Sequence, residues 1–566
     1  MPKALSTTNR KGKKEVSEQT VGMLHMVEKG KKKRRIPITL DTVCWIGRHR
    51  KCDVVINHPE ISSYHLRLFA VKTSTNQSLA VIHDLSSNGY RINNELFGEK
   101  KKPHVRGITI STKSMVLKDG DVLTLPGSGA VFTYHHEDRH RYQIEEMQYL
   151  LPQLQLFRNN NPQATYSIFP WIVENYPLGT GANGVVHLGR NVRGHGQMAI
   201  KTTYAQKGFN EDAVRREVQL MSRVVHPNVA GLLDMVREEK EADGSCVYHL
   251  VMECLTGGDL FSYLAKHTRL EEKEVRWIAW QCVNGLRCLH DQGIAHRDIK
   301  PENIMLHTLA AYPRILISDI GLATTLTDHI QSVPDVAGKQ TVSRPNDRFA
   351  GTERYIPPEI YEEKIAFMSK GKVNLAFETR EEIGTQWFEE DTAMDAWALG
   401  VTVYHCASGY YPFDGNPYAH APSSIISDLS DLSIENDEGG DPDQSTNSDS
   451  QNTSLTPNSG NRTESASDES ENPTMVIKQN PRYQGCLRML KKIRQFKAES
   501  EWFPKAVWAD WTPAGKEFIE SLLEYNPETR LDMTTAAKDK WFTDGKKHLE
   551  KLNEAVLVKG GFIRWL

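Results

Sequence analysis

Cysteine is sparse in this chain of 566 residues: eight are scattered along it, with no C-x-x-C pair and no dense spacing, so neither a zinc site nor a disulfide framework is indicated. A reducing compartment fits that usage best. Long apolar runs are missing too. Nothing approaches the ~18 to 20 apolar residues that span a bilayer, and the start of the chain is polar and lysine-rich where a signal peptide would be apolar. An intracellular, soluble protein is expected. Bulk charge is also lacking: 69 basic residues stand against 72 acidic ones, a net of −3, which argues against wholesale attraction to nucleic acid or membrane. Internal repeats are absent from the sequence as well.

What charge there is lies in patches. Before Ile36 the chain is basic (Arg10, Lys11, Lys13, Lys14, Lys29 and Lys31 to Arg35), and the stretch around Glu435 to Glu471 is acidic. The basic run reads either as a solvated tail or strand end, or as a nuclear import signal, which gives the nucleus, with the cytoplasm beside it, as the expected location. A chromatin-binding protein working through this tail is disfavoured, because the positive charge is confined to a few dozen residues.

At about 150 residues per domain the length suggests two to four folding units. Residues 1–20 read as a disordered basic tail. From 21 to 136, short β-like runs separated by turns (Ile36–Leu40, Cys52–Ile56, Leu66–Val71, Leu79–Ile82, Tyr90–Ile92, Val122–Leu125 and Val131–Tyr134) predict an all-β sandwich. A linker follows over 137–170, rich in Gln and Asn and with room for one amphipathic helix. From 171 to 543 strands give way to helices, the pattern of a bilobal α+β domain. Within it, 422–476 is dominated by Ser, Asn, Asp and Glu and lacks aromatics, so it is expected to be a disordered insertion. Residues 544–566 are left as a C-terminal tail.

The sharpest chemistry lies in the second unit. Gly179, Gly181 and Gly184 with Val186 form G-x-G-x-x-G-x-V between two β-like segments, and glycine lets backbone approach phosphate oxygens more closely than a Cβ would permit. A dinucleotide-binding loop would lead into a helix instead, and here strands follow. Lys201 ends the next apolar strand, and Glu217 lies on the apolar side of a helix predicted over Asp212 to Val224, so an ammonium–carboxylate pair could clamp the α and β phosphates of a nucleotide. Further on, Asp298 and Asn303 have the D-x-x-x-x-N spacing of a base and a magnesium ligand, and Asp319 in Asp319-Ile320-Gly321 supplies a second metal-binding group.

In this order the motifs resemble the eukaryotic protein kinase domain. The resemblance implies ATP and Mg2+ as cofactors, Asp298 as catalytic base, Lys300 as the charge that steadies the transferring phosphoryl group in Ser/Thr kinases, and Glu253 in the segment that joins the lobes and meets adenine. It also implies that Glu359 and Arg530 form an architectural ion pair and that Thr352 lies by the substrate hydroxyl. Ile320 stands where Phe is more common and keeps an apolar plug. Arg297, beside the base, would be an unpaired cation until a phosphate on the activation segment meets it, and Thr324, Thr325, Thr327, Ser332, Thr341 and Ser343 are the candidate acceptors. Asp259 and Glu302 resemble positions that meet an arginine three residues before the phosphoacceptor.

In the N-terminal sandwich, Gly47-Arg48, then Ser62 to His65, then Ser87-Asn88-Gly89 lie beside predicted strands. An arginine, hydroxyls and an amide brought together from loops are what a phosphate needs. These residues resemble the forkhead-associated (FHA) domain, in which Arg48, Ser62 and Ser87 would hold a phosphothreonine, Asn88 the ligand backbone, and His65 would brace the pocket. An FHA domain followed by a basophilic kinase resembles the DNA-damage checkpoint kinases and their meiotic relatives. The implied partners are phosphothreonine proteins, protein substrates, an upstream kinase and, through phosphorylation, other copies of the chain; neither membrane nor direct nucleic-acid binding is expected. A cluster of Ser-Gln or Thr-Gln sites ahead of the FHA module, common in checkpoint members, is missing, since Thr385-Gln386 and Ser450-Gln451 both lie late in the chain. The checkpoint and meiotic branches therefore stay open, and the reading from another class is a phosphopeptide-binding scaffold with an inert kinase-like domain.

Overall fold

The computed structural model describes residues 20–28, 30–72, 78–98, 104–105, 108–109, 113–137, 165–181, 184–192, 196–205, 211–239, 246–332, 351–370, 380–413, 480–498 and 502–558. The basic tail, the linker helix and the acidic insertion expected from the sequence lie outside them.

Among the described residues, thirteen strands build the first unit: β1 (Thr20–Val27), β2 (Arg34–Thr39), β3 (Cys44–Gly47), β4 (Val54–Val55), β5 (Leu66–Lys72), β6 (Ser78–Asp84), β7 (Tyr90–Ile92), β8 (Glu95–Phe97), β9 (His104–Val105), β10 (Ile108–Thr109), β11 (Ser114–Val116), β12 (Val122–Thr124) and β13 (Val131–His136). They form one sheet in the order β2-β1-β13-β12-β7-β8, a second in the order β11-β6-β5-β3-β4, and the small pair β9-β10. Alternation drives the packing. Along β13, Phe132, Tyr134 and His136 are buried while their neighbours are not, and the inward rows of both sheets meet in one core around Leu24, Ile46, Leu66, Ile82, Tyr90 and Phe132.

The second unit opens with β14 (Thr165–Ile168), β15 (Trp171–Gly181), β16 (Gly184–Asn191), β17 (Gln197–Ala205), β18 (Leu232–Glu239) and β19 (Cys246–Glu253), in the order β14-β15-β16-β17-β19-β18. Because β14 pairs with β15 in register Thr165↔Glu174 to Ile168↔Trp171, this domain starts inside the expected linker. One helix of the small lobe, α1 (Glu211–Arg223), is amphipathic, with Val214, Leu220 and Met221 buried.

The large lobe is helical: α2 (Leu260–His267), α3 (Glu272–Asp291), α4 (Leu326–Ser332), α5 (Pro358–Lys370), α6 (Arg380–Ser408) and α7 (Pro481–Ala498) are followed by shorter helices up to residue 558. The buried row Val275, Ile278, Ala279, Cys282, Leu286 and Leu289 of α3 has the three-and-four spacing of a one-sided helix. It faces the same core as Trp397 and Leu399 of α6. Leu549 and Leu557 join this core too, so residues 546–558 are part of the domain and not the separate tail expected from 544 onward.

The two units touch. The outer face of the five-stranded sheet presents Phe69, Val71, Leu79, Val81 and Val116 to Tyr176 and Leu188 of the small lobe, with Leu178, Cys254 and Leu309 packed beside them. Gln197 donates to the Val116 carbonyl at 2.8 Å and accepts from the Val116 N–H at 2.7 Å. Lys118 Nζ reaches Glu174 Oε2 at 2.8 Å, and Glu174 also holds Arg190.

Candidate active site and phosphopeptide pocket

The glycine loop is a hairpin. Gly179 pairs with Val186, Thr180 with Val185 and Gly181 with Gly184, and Ala182 and Asn183 lie outside the described residues. Gly184 needs to be glycine, since its φ is +157° and a Cβ there would fall 2.3 Å from the Thr202 carbonyl oxygen. Below the loop, Lys201 Nζ donates to Glu217 Oε1 at 2.5 Å, both side chains largely shielded from solvent. The strand and helix periods seen in the sequence thus deliver the ammonium and the carboxylate to one point.

The base is held from three sides. Lys300 Nζ donates to Asp298 Oδ2 at 2.7 Å and to Thr352 Oγ1 at 2.7 Å, and Thr352 Oγ1 donates to Asp298 Oδ1 at 2.8 Å. Burial pushes the Asp298 carboxyl up, but hydrogen bonds from Lys300 and Thr352 outweigh it and hold the group below the usual range. It is therefore an ionised acceptor at neutral pH. Asn303 spends its amide hydrogens on the Asp298 carbonyl and Oδ2, at 2.8 and 2.9 Å, which turns Asn303 Oδ1 the other way. Asp319, in the left-handed region at φ 61°, ψ 71°, is exposed. An amide oxygen and a carboxylate make an all-oxygen donor set, which suits a hard divalent cation such as magnesium. Ile320 is buried in the core, as an apolar plug requires.

The backbone under these groups is fixed by Asp395 on α6, which accepts from the N–H of His296 at 2.8 Å and of Arg297 at 2.7 Å. Arg297, expected to lack a counter-ion without a phosphate, has one: Asp391 Oδ2 stands 3.6 Å from its Nη1. Glu359 and Arg530 meet in a bidentate pair at 2.7 and 2.9 Å, with the guanidinium over the Trp397 ring.

Glu253 stands at the end of β19, where the lobes join, but its side chain turns to Arg314 at 2.9 Å and to His307. Burial pushes it up, while Arg314 and His307 prevail and bring it down to about 2. Any meeting with adenine therefore falls to the backbone of this segment. Asp259 is buried and caps α2, its Oδ1 accepting from the Ser262 N–H at 2.7 Å, a structural role added to the one the resemblance implies. Glu302 differs. Its Oε2 is buried without a hydrogen-bond partner among the described residues, and burial raises its pKa. Of the expected phosphate acceptors, Thr324 and Thr325 are buried with their hydroxyls on Asp391 and Asp328, Thr327 and Ser332 are exposed, and Thr341 and Ser343 lie outside the described residues.

In the sandwich, the loops after β3, before β5 and after β6 come together. Arg48 N–H donates to the Ser62 carbonyl at 3.0 Å, Ser87 N–H to Ser62 Oγ at 3.2 Å, and Asn88 Nδ2 to the Glu60 carbonyl at 2.8 Å. His65 is fully buried behind them, accepting at Nδ1 from the Ser62 N–H and facing the Gly89 carbonyl with Nε2 at 3.0 Å. An acceptor at Nδ1 leaves the proton on Nε2, and burial lowers the pKa of the ring, so it stays neutral. Gly47 allows the approach: a Cβ there would stand 2.4 Å from the Ser63 carbonyl oxygen. Arg48 itself is exposed at the mouth.

Sequence reasoning missed Gln197, Arg314 and Asp391. One signal was present for the interdomain face: β5 and β6 are apolar at successive positions, which a sheet with one wet face would not be.

Comparison with known proteins agrees with this geometry. Residues 172–542 match the protein kinase domain family and residues 44–126 the FHA domain family. The chain is 26% identical over 431 residues to the DNA damage response protein kinase DUN1 of Saccharomyces cerevisiae, covering 68% of this chain and 74% of that one. It is 26% identical to the serine/threonine-protein kinase cds1 of Schizosaccharomyces pombe, covering 68% and 72%, and 25% identical to the meiosis-specific serine/threonine-protein kinase MEK1 of Saccharomyces cerevisiae, covering 67% and 70%. With more than half its length in the catalytic match, the chain belongs to the protein kinase family, as a serine/threonine kinase bearing an FHA domain ahead of its catalytic domain.

Proposed function

We propose that this kinase docks on phosphothreonine proteins through Arg48, Ser62, Ser87 and Asn88 and phosphorylates Ser or Thr residues that follow an arginine by three positions, in DNA-damage or meiotic signalling within the nucleus. The observation that carries the catalytic part is the cluster of Lys300 and Thr352 on Asp298; the Lys201–Glu217 pair under the glycine hairpin supports the nucleotide part. Asp298 accepts the hydroxyl proton of the substrate while Lys300 offsets charge on the moving phosphoryl group. ATP is held by the glycine hairpin and Lys201; Asn303 and Asp319 would hold the magnesium, which would supply positive charge against the phosphates.

Docking raises the local concentration of kinase around a phosphorylated scaffold, so that copies meet and phosphorylate one another. Thr327, Ser332, Thr341 and Ser343 are the acceptors this reading uses. The names of the yeast relatives support the two signalling settings, and the lysine-rich run before Ile36 supports the nuclear location.

The test is phosphorylation of an Arg-containing peptide by the full chain and by its Asp298→Ala variant. Loss of a proton acceptor costs about 10²–10⁴ in rate. Equal phosphate transfer by the two would mean the activity arises elsewhere, and none by either would favour the inert scaffold.

A further inference from the structure

Asp391 lies on α6, one helical turn before Asp395, and is wholly buried. A carboxylate there must be compensated or it destabilises the fold. Three groups converge on the same oxygen, Oδ2: Thr324 Oγ1 donates at 2.8 Å, His329 Nε2 stands at 2.9 Å and Arg297 Nη1 at 3.6 Å. Arg297 belongs to the catalytic loop, directly before the base. Thr324 and His329 belong to the start of the activation segment, where Arg297 Nε also donates to the Leu322 carbonyl at 3.0 Å. One carboxylate therefore joins the catalytic loop, the activation segment and α6.

The chain of contacts continues to the small lobe. His329 sits on α4, whose Asp328 accepts from the Thr325 N–H and hydroxyl and from Arg216 Nη2 at 2.6 Å. Arg216 precedes Glu217, the partner of Lys201. Both halves of the active site are thus connected through α4, and α4 is fastened at Asp391.

We propose that Asp391 is the positioning residue of the catalytic loop: it neutralises Arg297 and ties the activation segment to α6, so that a basal active state stands without a phosphate on that segment. The inference rests on the kinase reading, and phosphorylation of the segment then adds to a rate that Asp391 already supports.

The experiment uses the full chain with Thr327, Ser332, Thr341 and Ser343 all changed to Ala, and steady-state kinetics on a peptide substrate. This background should keep measurable turnover. Within it, Asp391→Asn should lower kcat by about 10-fold or more with KM for ATP changed by less than about 3-fold, as expected when a transition-state arrangement is lost and not nucleotide binding. Arg297→Ala should cost a similar factor, and the double variant should be no slower than Arg297→Ala alone, because the two act as a unit. Multiplying losses would overturn the proposal. So would an inactive four-Ala background beside an active wild type, a result that leaves the kinase reading standing; an inactive wild type sinks that reading and this one together. Should thermal melting reveal that Asp391→Asn is unfolded, Thr324→Val removes one donor at equal size, and unchanged kcat in that variant overturns the proposal equally.

Discussion

Gln197 and Val116 are 81 residues apart in sequence and form a two-point clasp, the side-chain amide of one pairing with both backbone polar groups of the other. A side chain thereby mimics a strand at the edge of the FHA sheet, beside an apolar face closed by Tyr176 and Leu188. Gln197→Ala leaves both backbone groups to find water within a covered face, at about 1–3 kcal/mol each. Hydrogen exchange at the Val116 amide should accelerate and the melting temperature of the whole chain should fall. Exchange identical to wild type would mean that the two domains are not docked through this contact.

Two neighbouring changes at the phosphopeptide pocket should behave differently. Arg48 is exposed, so Arg48→Ala should preserve melting while weakening a phosphothreonine peptide by about 10- to 100-fold, the worth of a charge-assisted hydrogen bond or two. Gly47→Ala pushes a methyl against the Ser63 carbonyl and should lower stability and binding together. Fluorescence titration and calorimetry separate the cases; a stable Gly47→Ala domain with full affinity would refute the packing argument.

Glu302 and Asp259 can be told apart as arginine readers. Glu302→Gln should bring the preference for Arg over Ala at the third position before the acceptor down from about 10-fold or more to near unity, since a desolvated ion pair is lost. Asp259→Asn keeps a good helix cap and should leave the preference in place. Peptide kinetics giving the reverse pattern would reassign the site.

Glu274 gives a pH signature. It sits in the first turn of α3, accepts from Tyr263 Oη at 2.7 Å, and burial raises its pKa from 4.5 to about 7. The native state then keeps a proton that the unfolded chain releases, so stability falls as pH rises from about 4.5 to about 7 and is level beyond. Glu274→Gln should raise the melting temperature at pH 8 and change it little at pH 4. Equal shifts at both would show that the carboxyl does not titrate in this window.

Much of the active site was legible because its chemistry comes in short words: Lys201, Asp298, Asn303 and Asp319 sit in motifs whose spacing is set by one hairpin, one loop and one strand end. The helix bearing Glu217 was visible in its apolar period, and observed bounds of Glu211–Arg223 differ by one residue at each end from those expected. Short edge strands such as β8 and β11 carry three residues each, too few for alternation to register. Asp391, Gln197 and Arg314 were illegible for a different reason. Each is a single polar residue in an otherwise ordinary helix or strand, and only its distant partner gives it a meaning. Asp259 carried a second meaning that its position alone did not separate, because an acidic residue before a helix serves as a cap as readily as a ligand.

Phe413 stacks on Trp397 at 5.4 Å and meets Phe496 edge-on at 5.2 Å, so the residue that enters the stretch 414–479 and the helix α7 that follows it are gripped by one aromatic knot. Closing a loop on fixed ends depends only weakly on its contour, about 0.6 kcal/mol per doubling. Adding or removing residues between these two fixed points should therefore leave the large lobe whole, because the aromatic contacts that hold it lie outside the altered stretch.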